Sequence, residues 1–106
     1  MSLRTEKIES TVHHEVAKAL AELLPHSLLV TVTGVEVSPD LKKATVWISV
    51  LDQDESEVMA EIENVRRDVQ KMVNKRLTTK FVPRLSFKSD HGGAYADRIN
   101  RVLKNL

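Results

Sequence analysis

From residue 4 to residue 24 the apolar positions Ile8, Val12, Val16, Ala19, Leu20, Leu23 and Leu24 fall at helical spacing, with Arg4, Glu6, Lys7, Glu15 and Lys18 on the other side. That stripe predicts an amphipathic helix. Thr5 or Ser2 can cap it, and Pro25 stops it, because a residue before proline is pushed out of the helical region. The period then changes to two. Leu28 to Val37 is rich in β-branched residues and predicts a strand. Val30 and Val32 share one side, but Val35 and Val37 reach that side only if one extra residue intervenes. Gly34 sits where the phase shifts, which predicts a bulge with Val30, Val32, Val35 and Val37 buried and Thr31 exposed. Ser38-Pro39-Asp40-Leu41 has turn chemistry: proline presets φ and the aspartate bonds the backbone beyond it. Lys43 to Leu51 is the returning strand, with Ala44, Val46, Ile48 and Val50 inward and Lys43, Thr45, Trp47 and Ser49 outward.

The acidic run from Asp52 to Glu57 suits the start of a helix, where the positive end of the dipole favours carboxylates. Val58, Ile62, Val65, Val69, Met72 and Val73 then make one apolar stripe with no change of phase. Val82 to Ser89 predicts a third strand, with Pro83 tolerated at its first position or on an edge. Leu85 and Phe87 point inward there, and Arg84, Ser86 and Lys88 outward. Ile99, Val102, Leu103 and Leu106 mark a last helix. The order helix, strand, strand, long helical segment, strand, helix describes an α+β fold with helices on one face of a three-stranded sheet.

A chain of 106 residues is expected to form a single domain over 1–106, large enough for a core without covalent staples. It has no cysteine, hence no disulfide framework, which suits a reducing cytoplasm. Its apolar runs fall far short of the roughly 18–20 residues that span a bilayer, and Arg4, Glu6, Lys7 and Glu9 interrupt any leader-like start, so no membrane partner is expected.

Charge alters this bland picture. The net charge of +1 conceals a division: residues 1–65 carry 5 basic and 12 acidic side chains, net −7, and residues 66–106 carry 11 and 3, net +8. Between Asn64 and Lys88 stand Arg66, Arg67, Lys71, Lys75, Arg76, Lys80, Arg84 and Lys88 against one acid, Asp68. Ordinary helix faces mix signs to gain pairs four residues apart. Here Arg67, Lys71 and Lys75 instead stack three cations at about 6 Å intervals, close to the repeat of phosphates on a nucleic-acid strand. These eight residues are the candidate RNA-binding set. Of these, Arg67, Lys71, Lys75, Lys80, Arg84 and Lys88 are expected to form one continuous positive surface with the acids of residues 52–63 kept off it.

Other candidates carry less. His13 and His14 point about 100° apart on a helix and cannot easily share an ion, so they and His26 are read as solvated. Asp90-His91 lacks a nucleophile or second acid and reads as a turn; Gly92-Gly93 does not match a phosphate loop. The lone Trp47 is read as cover for neighbouring side chains and not as a base-stacking platform. No small-molecule substrate, cofactor or metal is implied.

The stretch Thr31 to Ser49, above all Val35-x-Val37-Ser38-x-Asp40-Leu41-x-x-Ala44-x-Val46, resembles the hairpin of the bacterial ribosome-binding factor A family. Phe81-Val82-Pro83-Arg84-Leu85-Ser86-Phe87 and Asp97 to Leu103 resemble that family's closing segment, so the likeness runs from about Lys7 to Leu106. The resemblance implies a type II K-homology-like fold and a non-catalytic, cytoplasmic, monomeric assembly factor. Such a factor binds the immature small ribosomal subunit and its rRNA, aiding late maturation and rRNA processing, notably in the cold. It also implies a helix–kink–helix built on Ala-x-Gly. That position falls on Val65-Arg66-Arg67, where both small residues are replaced, so contacts would rest on the side chains of Arg67, Lys71 and Lys75. A second reading from the residues is a protein-interaction module whose acidic stretch, Glu55 to Glu63, engages a basic partner.

Overall fold

The computed structural model describes residues 3–77, 82–90 and 96, with the side chains of Leu3 and Arg4 left aside. Its elements are α1 (Leu3–Leu23), β1 (Val30–Val37), β2 (Lys43–Val50), α2 (Glu55–Asn64), α3 (Arg66–Arg76) and β3 (Arg84–Ser89). The sheet order is β1-β2-β3, with β1 antiparallel and β3 parallel to β2. Ile8, Val12, Val16, Ala19 and Leu20 of α1 are buried in one cluster with Val32, Val35, Val37, Ala44, Val46, Ile48 and Leu85 of the sheet. Val58, Ile62, Val69 and Val73 of α2 and α3 join the same cluster. All three helices therefore cover one face. The opposite face carries Thr31, Glu36, Lys43, Thr45, Trp47, Arg84, Ser86 and Lys88, none of them buried. This is the expected α+β arrangement. The last expected helix, together with Lys80 and His91, lies outside the described residues.

The phase change in the first strand is a bulge. Val32 pairs with Ile48 and Gly34 with Trp47, leaving Thr33 as the extra residue. Val32, Val35 and Val37 are buried and Thr31 is exposed, while Val30, at the strand's start, is only half-buried. The strand begins at Val30 and not Leu28. The Leu28 N–H instead turns back to the Pro25 carbonyl (3.0 Å), and the Leu29 N–H goes to Gln53 Oε1 (2.9 Å). The β1–β2 turn is built as its residues dictate. The Asp40 carboxylate accepts from the Ser38 hydroxyl (2.6 Å) and the Lys42 N–H (3.0 Å), and these bonds hold its carboxyl below the ordinary value of 3.8. Leu41 takes the left-handed conformation, φ 62°.

The long apolar stripe does not run through one helix. It breaks at Val65, whose φ of −102° and ψ of 5° end α2 and open α3. Asp54 caps α2 by accepting the Glu57 N–H (3.1 Å). α3 has no side-chain cap; the carbonyl of Val65 takes the Val69 N–H directly (3.0 Å).

Candidate nucleic-acid interface

Four residues separate successive cations on α3, so Arg67, Lys71 and Lys75 lie along one exposed ridge opposite the buried Val69 and Val73. None of the three has an ion-pair partner among the described residues. The neighbouring line on the helix, Arg66, Gln70 and Asn74, turns towards β3. Gln70 fixes that approach: its amide donates to the Pro83 carbonyl (3.0 Å) and its oxygen accepts the Leu85 N–H (2.9 Å). One side chain thus pairs with the free edge of β3 as a backbone peptide would. The residue between its two partners, Arg84, lines one side of a groove of about 490 Å³ that is also lined by Arg66, Arg67, Gln70, Lys71, Asn74 and Val82.

The groove continues over the end of the sheet. A second hollow, of about 380 Å³, shares Arg66 and Arg84 and adds Lys43, Thr45, Glu63, Ser86 and Phe87. Parallel pairing sets Lys43 beside Arg84. Lys43 is thus a fifth cation of the groove that the charge run could not reveal, because it stands in the acidic half of the sequence and only the crossover to β3 brings it here. Acid is not wholly kept off this surface: Glu63 lines the second hollow and pairs with Arg66 at 3.1 Å.

Three members of the sequence-derived set sit apart. Lys75 ends the exposed ridge beyond the groove lining. Arg76, about 100° further round the helix, turns to α1 and pairs with the nearly buried Glu15 at 3.5 Å. Lys88 lies at the far end of β3, its ammonium 5.8 Å from the Trp47 ring centroid, within range of a cation–π attraction. The indole N–H of Trp47 donates to Glu36 Oε1 (3.2 Å), so the ring reaches over β1 and lies against neighbouring side chains. No group of three His, Cys, Asp or Glu among the described residues could hold a metal ion, and no described helix is long and apolar enough to cross a membrane.

The groove between the broken helix and the parallel edge strand is thus lined by cations, among the described residues. The family model described as Ribosome-binding factor A matches residues 4–103. The chain belongs to that family. A ribosome-binding factor A of Geobacter metallireducens is 33% identical over 100% of this chain and 93% of its own length. The crystal structure of ribosome-binding factor A from Thermus thermophilus matches with a TM-score of 0.72 at 21% identity, over 80% of this chain and 94% of that one. A Thermus thermophilus ribosome binding factor A homology model, fitted into the cryo-EM map of its complex with the 30S particle, matches with a TM-score of 0.61 at 20% identity. It covers 84% of this chain and 93% of its own. Ribosome-binding factor A is a family of binding factors, not of enzymes. The kink that resemblance to this family implied is present at Val65 even though neither small residue is.

Proposed function

We propose that the chain is a non-catalytic ribosome-assembly factor. It binds rRNA of the immature small subunit through the groove between α3 and β3 and assists late maturation and rRNA processing. We further read residues 1–106 as one cytoplasmic, monomeric domain whose role is greatest in the cold. The observation that carries the RNA reading is the ridge of Arg67, Lys71 and Lys75, unpaired among the described residues, beside a groove that also gathers Arg66, Arg84 and Lys43. Membership of the ribosome-binding factor A family supports it, as does the 30S complex of the Thermus thermophilus homologue. Of the eight candidates, Arg66, Arg67, Lys71, Lys75 and Arg84 are assigned to phosphate contact, with Lys43 added. Arg76 is assigned to the fold and Lys88 to the margin, while Lys80 lies outside the described residues.

The test is titration of small-subunit rRNA by the chain and by its Arg67→Ala/Lys71→Ala variant over a range of salt. Each phosphate contact removed should lower the slope of log affinity against log salt by about 0.7–0.9. Tm should barely change, since exposed charges contribute little to folding. Unaltered binding would reduce the ridge to a solvated face. Weak binding with the original slope would mean that shape, not charge, holds the RNA.

A further inference from the structure

Away from the basic groove, the chain end between α1 and β1 meets the start of α2. Here Leu29 and Leu51 are the large hydrophobic side chains that stay exposed among the described residues, at 52% and 59%. They are neighbours, joined by the Leu51 N–H to the Leu29 carbonyl (3.1 Å). The same end of the molecule holds a cleft of about 670 Å³ whose lining includes Pro25, Leu28, Asp54, Glu57, Val58 and Glu61 and no Lys or Arg; Leu29 and Leu51 stand outside the lining, Leu29 next in the chain to Leu28. Gln53, which also lines it, is bonded at both ends of its side chain, donating to the Ser27 carbonyl (2.7 Å) and accepting from the Leu29 N–H (2.9 Å).

The acids of this cleft are not all accounted for by the fold. Asp54 serves as the helix cap, and carboxylates in the first turn favour the helix dipole. Glu61, in the second turn, is beyond that benefit. It stands four residues from Glu57, a like-charge spacing that opposes helix formation. Neither glutamate has an ion-pair partner among the described residues. Exposed leucines and unneutralised carboxylates together are complementary to one kind of occupant. An RNA strand is repelled by the acids, and an acidic or purely apolar segment leaves them unpaired.

We propose that this cleft binds a basic polypeptide segment in which Lys or Arg alternates with aliphatic side chains. The aliphatic groups pack on Leu28, Leu29 and Leu51 while the cations face Glu57 and Glu61. The surface does not depend on the RNA reading of the opposite groove.

The experiment uses the whole chain and a fluorescent peptide of alternating lysine and leucine, with oligolysine of equal charge as comparator. Anisotropy should show the alternating peptide binding about tenfold or more tightly than oligolysine, as expected when apolar contact adds to charge. Glu57→Gln/Glu61→Gln and Leu29→Ser/Leu51→Ser should each weaken it several-fold. For the unaltered chain, the backbone amide resonances of Leu29, Leu51 and Glu61 should shift on titration, a readout that does not depend on any variant folding. Equal binding of the two peptides would overturn the proposal, as would shifts confined to α3 and β3. So would sedimentation showing this face occupied by a second copy of the chain.

Discussion

Gly34 and Trp47 show how much one position can settle. The strand phase made the bulge legible, but not which residue is extra. That is Thr33, because Gly34 keeps its pairing with Trp47 and is itself buried. A side chain at residue 34 would contest the space around it. Gly34→Val should therefore destabilise the fold by about 1–3 kcal/mol, read as a lower urea midpoint with the m-value kept. Arg76 teaches the converse. Nothing in a run of like charges distinguishes it from Lys75, since what separates them is the nearly buried Glu15 on another helix. Side-chain partners of this kind depend on packing between elements and carry no local signal.

At the scale of elements, the strands were readable from periodicity, whereas the helix break was signalled only by the family resemblance. Alternation in Ala44, Val46 and Ile48 dictates one buried face, whatever the strand packs against. The stripe from Val58 to Val73 gave no warning at Val65, because α2 and α3 dip into the same core and the apolar residues keep their offsets across the bend. The joint between α3 and β3 was equally silent: a glutamine on a helix says nothing of its partners until an edge strand stands opposite. Its removal should be felt. Gln70→Ala leaves the part-buried Leu85 N–H and Pro83 carbonyl without these partners, a cost of about 1–3 kcal/mol. Amide exchange at Leu85 should quicken by more than that at Ile48. Gln70→Glu, which keeps the acceptor and loses the donor, should fall between.

At the scale of the whole molecule, the long axis of 38 Å spans several Debye lengths at physiological salt, which is about 8 Å. The two halves of the sequence, −7 and +8, meet directly in the pairs Glu63 with Arg66 and Glu15 with Arg76. Acids outside such pairs, Glu57 and Glu61 among them, act on an approaching polyanion only through a field that salt screens. Glu57→Gln/Glu61→Gln should speed association with rRNA at low ionic strength, leave dissociation unchanged, and lose this effect as salt is raised. Stopped-flow mixing at two ionic strengths measures it. A dissociation rate altered as much as the association rate would place these acids within contact of the RNA.

The parallel pairing of β3 with β2 also imposes an order in time. The β1–β2 hairpin closes over a short turn, whereas β3 can take its place only after the intervening helices have been made and folded back. Arg84 arrives with β3, and with it the far wall of the groove. On a chain emerging from its N-terminus, the ridge on α3 precedes Arg84, and the groove is closed only when β3 has joined the sheet. Under the proposed function, a growing polypeptide would present the complete RNA-binding groove only after β3 has paired, and not while α1 and the hairpin alone have emerged.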